Sequence, residues 1–207
     1  ETNIKTHTPA WVNMPRLLCP LYQQLKQKIN GQTIHAKFLN ITGLASNAIH
    51  FVDLVSRLTG EKIISIDTSG LSDWKPYIKR PRLFDVNGQL QISFSNNSTL
   101  VISGSADVRS TGSIMNIQVG SDDNAEMWTI DEAGGKAVST NGSQINAQGF
   151  YYQSDMTTWL VDRIFAHQET GLPSLTQSLK QHKPLLEAFL RHWNSTIAKT
   201  VTQLPFT

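Results

Sequence analysis

Asn47, His50, Asp53 and Arg57 recur every three or four residues within the run Gly43 to Gly60, so on a helix they share one stripe. An imidazole then sits one turn before a carboxylate and one turn after an amide. Its ordinary pKa lies near neutrality, which makes His50 a candidate proton donor or acceptor. The same stripe also describes a solvated helix face, and pattern alone favours that plainer reading.

Other chemistry is sparse. His7, His35, His167, His182 and His192 lie at no metal-ligand spacing and read as surface or satisfied histidines; no metal site is expected. Cys19 is the single cysteine, which rules out an internal disulfide or a thiolate cluster and suits a reducing cytosol. No glycine-rich phosphate loop, nucleophile elbow or His-Glu-x-x-His is present. Residues 68–81 and Arg82 interleave Trp74 and Tyr77 with Lys79, Arg80 and Arg82. That mixture could hold a phosphate or carboxylate, although a solvated loop anchored by its aromatics is the simpler reading.

The elements that must position these groups follow from periodicity. Pro15 followed by Leu17, Leu21, Leu25 and Ile29 predicts one helix of about four turns, stopped by Asn30-Gly31. Residues 33–41 alternate as a strand, and the helix bearing His50 comes next, with Ile49, Val52, Val55 and Leu58 as its apolar stripe and Gly60 as its cap. Residues 62–67 form a second strand. A meander of four or five strands follows, with Asn96-Asn97 as a hairpin signal. Met156, Trp159, Leu160, Ile164 and Phe165 mark a further helix. Ser174 caps another, which Pro184 should kink or split. The fold class is α+β: one domain over residues 1–207, with a largely antiparallel, open-faced β-sheet and helices packed on one face.

Composition agrees with a globular chain, at 39% hydrophobic and 16% charged residues. A net charge of +2 is too mild to demand a nucleic acid or an anionic membrane as partner. No apolar run reaches the roughly 20 residues of a membrane span, and the first residues lack signal-peptide architecture, so a cytoplasmic protein is expected. Starting at Glu1 rather than Met, the chain reads as a fragment of something longer.

The order of three segments resembles a known family. The run Asn47-Ala-Ile-His50-Phe-Val-Asp53-Leu, before Leu58-Thr-Gly60, resembles the G-x-x-x-x-D-x-x-x-H-x-x-D-L-x-x-x-L-x-G helix of the Gfo/Idh/MocA oxidoreductases. Asn13-Met-Pro-Arg16 followed by Pro20 to Lys26 is similar to the segment opening their substrate-binding domain. Gly171-Leu-Pro-Ser-Leu175, His182 and Leu185 to Ala188 are similar to their closing helix.

The resemblance covers only the family's carboxyl-terminal domain. It implies a missing N-terminal Rossmann domain that binds NAD or NADP and supplies a lysine, with no cofactor expected on this chain itself. His50 would exchange a proton with a substrate hydroxyl, while Asn47, Arg16 and Tyr22 would line a sugar pocket. Asp53 would support the helix, and Lys79 and Arg80 would meet an anionic substituent. Ser46 departs from the pattern, because many members carry an aspartate there. The implied function is substrate binding and oligomerisation within an NAD(P)-dependent sugar or sugar-nucleotide oxidoreductase, inactive as a fragment. Its form is closest to members linked to surface-polysaccharide or acidic-sugar biosynthesis. The alternative is a non-catalytic sugar-binding or assembly module that kept the fold. A homo-oligomer through the open sheet face is also expected, with Ile92 and Ile117 among the apolar residues on that face.

Overall fold

Proline decides where the first helix begins. The computed structural model describes residues 9–77, 80–104, 113–121, 124–147, 153–167, 169–197 and 200–205, and in it the helix expected from Pro15 is broken. A 3₁₀ turn at Arg16–Leu18 ends at Cys19, whose backbone is extended at φ −67° and ψ 133°. Helix α1 (Pro20–Ile29) then starts with the proline at its first position. A residue preceding proline is sterically pushed out of the helical region, so Cys19-Pro20 forces the interruption.

Strand β1 (Ile34–Ile41) leads into helix α2 (Leu44–Thr59) through a single tight turn. Gly43 stands at the helix N-cap with φ 71° and offers no side chain to the first amides. The buried Asp85 carboxylate supplies the missing acceptor, taking the Ala45 N–H at 2.8 Å. Gly60 closes the helix in left-handed conformation, its N–H on the Ser56 carbonyl.

The remaining strands are β2 (Ile63–Asp67), β3 (Leu71–Tyr77), β4 (Arg80–Phe94), β5 (Thr99–Gly104), β6 (Ile114–Val119), β7 (Glu126–Asp131), β8 (Lys136–Ser139) and β9 (Gln144–Asn146). They form one sheet in the order β2-β4-β5-β1-β6-β7-β8-β9, with β3 paired to the other half of the long β4. Among the described residues, only β1 and β5 run parallel. The stretch read from sequence as a loop is therefore a hairpin, β3 and the start of β4. Pro76 is tolerated because β3 is an edge strand, and the bulge between Leu71 and Trp74 hides the alternation.

Register assigns the two faces of the sheet. Phe38, Ile102, Leu90, Ile92, Ile117 and Trp128 point to the covered side and are essentially inaccessible. Their strand neighbours His35, Lys37, Gln91, Asn116 and Thr129 take the open side, which is consequently polar over much of its area. Ile92 and Ile117 were expected on the open face; both are at 0% exposure beneath the helices.

Helix α3 (Gln153–His167) buries Met156 but leaves Trp159, Ile164 and Phe165 of its expected apolar stripe exposed. Helix α4 (Leu175–Thr196) opens with a full capping box between Ser174 and Gln177 and continues through Pro184 as one helix rather than two. It lies over α2 and holds the β3–β4 hairpin. Trp193 meets Trp74 and Phe84 edge-on, each with ring centroids 5.1 Å apart, and the Trp74 indole N–H donates to His192 at 3.0 Å. No described helix is long and apolar enough to cross a membrane.

The Asp85 cap gives a direct test. Removing a helix cap typically costs about 0.5–2 kcal/mol, so Asp85→Ala should lower unfolding stability by that amount in urea denaturation. An unchanged midpoint would show that the Ala45 amide finds another acceptor.

Candidate functional site

Helix α2 carries His50 into a junction of four elements. Burial lowers the His50 pKa below its ordinary value; the Arg16 guanidinium and His182 push the same way, and Glu132 opposes them. Arg16 comes from the 3₁₀ turn before α1, His182 from α4 and Glu132 from the turn after β7. The half-buried imidazole is thus neutral at pH 7, the form that accepts a proton.

Glu132 ties this junction together. Its carboxylate accepts from Arg16 Nε at 2.9 Å and Nη2 at 3.4 Å, and from the Tyr22 hydroxyl at 2.8 Å. The guanidinium also stacks 4.5 Å over the Phe51 ring, one residue past His50. Tyr22 is wholly buried; burial first, then the Glu132 charge, hold its phenol well above the ordinary pKa and keep it a donor. Tyr22 therefore presents no atom to a ligand and acts by bracing Glu132. Arg16, with 18% of its side chain exposed, keeps some access. Nothing in the sequence marked Glu132, which lies 116 residues from Arg16 in an otherwise ordinary turn.

The His182 Nδ1 lies 3.0 Å from both the hydroxyl and the carbonyl oxygen of Ser178, which ties the ring to the preceding turn of α4. At the rim, the Ser46 hydroxyl donates to the Gly43 carbonyl at 3.2 Å and the Asn47 amide to the Thr42 carbonyl at 2.7 Å. Both residues thus shape the turn into α2, and exposed Asn47 retains its amide oxygen for other partners. Arg80 opens β4, five residues and roughly 16 Å of strand from Asp85. Lys79 lies outside the described residues. Among those residues, no three His, Cys, Asp or Glu side chains gather as a metal would require.

Asp53 lies deeper than its place on a polar stripe implies. It is at 0% exposure because α4 covers that side of α2. The Arg57 Nη1 is 3.6 Å away, too far for a hydrogen bond, and neither carboxylate oxygen has a hydrogen-bond partner among the described residues. Burial pushes its carboxyl up to about 6, a rise that Arg57 and, less, Gln181 and Arg16 only partly offset.

With this geometry in place, the fold can be compared with known structures. No protein-family model matches the sequence, and no curated protein does. Among solved structures, an oxidoreductase from Thermotoga maritima matches with a TM-score of 0.63 at 14% identity, over 88% of this chain and 60% of that one. UDP-N-acetylglucosamine 3-dehydrogenase from Acidithiobacillus ferrooxidans matches at 0.61 and 11% identity, over 87% of this chain and 60% of that one. An Agrobacterium radiobacter oxidoreductase solved with NAD+, L-tartaric acid and magnesium gives 0.59 and 13%, over 93% and 64%. The chain has the fold of the carboxyl-terminal domain of Gfo/Idh/MocA-type oxidoreductases. It spans about three-fifths of the length of the structures it matches.

The raised Asp53 pKa generates a stability prediction with a definite sign. The folded state keeps a proton that the unfolded chain, titrating near 3.8, releases. This group therefore lowers stability as pH rises from about 4 to about 6, by on the order of 3 kcal/mol in all. Asp53→Asn removes that titration. Its stability relative to the parent should improve by roughly 2–3 kcal/mol between pH 4 and pH 7.5 in urea unfolding. A difference that stays constant with pH would show that Asp53 titrates normally.

Proposed function

We propose that this chain is the substrate-binding and oligomerisation domain of an NAD(P)-dependent sugar or sugar-nucleotide oxidoreductase, with surface-polysaccharide or acidic-sugar biosynthesis as its setting. The observation that carries the reading is His50: a half-buried imidazole kept neutral, at the position that resembles the family's histidine, within a fold shared with such oxidoreductases. In this role His50 exchanges a proton with a substrate hydroxyl. Arg16 and Asn47 contact the sugar, Asp53 and Ser46 support α2, and Lys79 and Arg80 are candidates for an anionic substituent.

The turn ahead of α2 offers a dinucleotide no phosphate cradle. The strand-to-helix turn ahead of α2 has a single glycine at its cap, and the Asp85 carboxylate already occupies the Ala45 amide where a phosphate would have to bind. A nicotinamide nucleotide would therefore supply the hydride chemistry from outside these residues. Self-association through the open sheet face belongs to the same proposal. Its chemistry would be hydrogen bonding between side chains such as Gln91, Asn116 and Thr129 more than apolar burial.

A second reading rests on Ser46. Its hydroxyl is committed to the Gly43 carbonyl and cannot take a proton as a carboxylate does, which favours a module that binds sugar without turnover. His50→Ala, made in the longer protein that the first reading requires, separates the two. Turnover should fall by about 10²–10⁴-fold while nicotinamide binding stays unchanged. Activity within a few-fold of the parent would remove His50 from the mechanism, and a parent protein that binds sugar but never turns it over would establish the second reading.

A further inference from the structure

A second concave site lies at the other end of α2, one its sequence pattern did not announce. It is a cleft of about 640 Å³, walled by the C-terminal turn of α2, the first turns of α4 and the end of α1. Four cations line it, Lys26, Arg57, Lys62 and Lys180, against the single carboxylate of Glu61. That sums to +3 in one cleft, more than the +2 of the whole chain. The rest of the molecule is close to electrically balanced, so the charge is local.

The three lysine charges are poorly neutralised by the protein. Lys26, Lys62 and Lys180 are exposed and form no ion pair among the described residues. Arg57 differs, with the Asp53 carboxylate, largely ionised at neutrality, 3.6 Å behind its Nη1 and the Gly171 carbonyl accepting from its Nη2 at 2.6 Å. Glu61 is engaged by the Ser95 hydroxyl. Gln181, only 8% exposed, lines the same cleft with its amide oxygen unpartnered. A buried polar atom left without a partner is costly, as is a cluster of like charges; a bound ligand relieves both.

We propose that this cleft binds a small diphosphate-bearing molecule that also carries a hydroxyl. The ammonium groups of Lys26, Lys62 and Lys180 and the Arg57 guanidinium would take the phosphate oxygens, and the ligand hydroxyl would donate to Gln181. Three lysine ammoniums and a guanidinium are more donors than one phosphate takes up, whereas two phosphates give each of them an anionic partner. The cleft volume falls within the roughly 300–1,000 Å³ typical of small-molecule sites, and its concavity favours such a ligand over a flat macromolecular surface. The C-terminal end of α2 also borders the cleft, and its dipole opposes an anion. That amounts to roughly half a charge, outweighed by three and partly offset by the N-terminal turn of α4. Arg57 is seven residues along α2 from His50, or about 10 Å, with buried Asp53 between them. The site is therefore separate from the one assigned to proton exchange and does not rest on that assignment.

Titration calorimetry on the 207-residue chain with a nucleoside diphosphate, inorganic pyrophosphate and inorganic phosphate tests this. The nucleoside diphosphate should bind at least tenfold more tightly than inorganic phosphate and more tightly than pyrophosphate, which lacks the hydroxyl. The double variant Lys62→Gln/Lys180→Gln should weaken it at least tenfold, and Lys37→Gln on the open sheet face should leave it unchanged. Independently of any variant, amide chemical shifts should move at Ser56, Gly60, Lys62 and Gln177. No binding at millimolar concentration, equal weakening by Lys37→Gln, or shifts centred elsewhere would overturn the proposal. Pyrophosphate binding as tightly as the nucleoside diphosphate would overturn the role given to Gln181 and the ligand hydroxyl.

Discussion

Helix α2 is covered over most of its circumference, and the structure is arranged around that constraint. Ten of its sixteen residues are buried, Asp53 among them. The sheet takes one side through Phe38, Ile102 and their neighbours, and α1 and α4 take the other. A helix enclosed in this way must have its terminal amides satisfied from within the protein, which is why a carboxylate in the middle of β4 reaches its first turn. The same enclosure carries a histidine and an aspartate out of water and shifts both in the direction of the neutral form.

The consequences divide along the length of the helix. Toward its start, Glu132 gathers Arg16 and Tyr22 into a hydrogen-bonded group beside His50, so the electrostatic surroundings of the imidazole depend on residues from the two halves of the chain. In its middle, Asp53 and Gln181 close the space beneath α4. At its end, the packing of three helices leaves a cleft that collects cations. One buried helix thereby separates a neutral, partly shielded proton-transfer candidate from a strongly positive concavity.

Much of this order was legible in the sequence. Helix α2, strand β1, the Asn96-Asn97 hairpin and the Ser174 cap each had a local signal, and the structure shows all four. Asn97, for example, adopts φ 65°, as the turn requires. What the sequence obscured was long-range or broken in pattern. Strand β3 was hidden because Asp73, Lys75 and Pro76 mask an alternation already interrupted by a bulge. The interruption of the first helix is readable at Cys19-Pro20, although the leucine period runs straight through it. Placing Ile92 on the open face went against a signal that was present, since Gln89, Gln91 and Ser93 alternate with Leu90, Ile92 and Phe94 and mark one covered side. Of the site, His50 and Arg16 could be named from residue type and the order of segments. Glu132 could not, because only the folded sheet brings it to Arg16. Asp53 was read as exposed because a polar stripe does not reveal that another helix will lie across it.

The folded chain holds His50 as a neutral imidazole poised to accept a proton. Its titration can be followed directly by NMR, using the His50 ring carbon-bound protons in the 207-residue chain. Its pKa should lie below the ordinary 6.5, fall further in Glu132→Gln, because the Glu132 charge raises it, and rise in Arg16→Gln. A His50 that titrates at or above 6.5, or that ignores both substitutions, would contradict this.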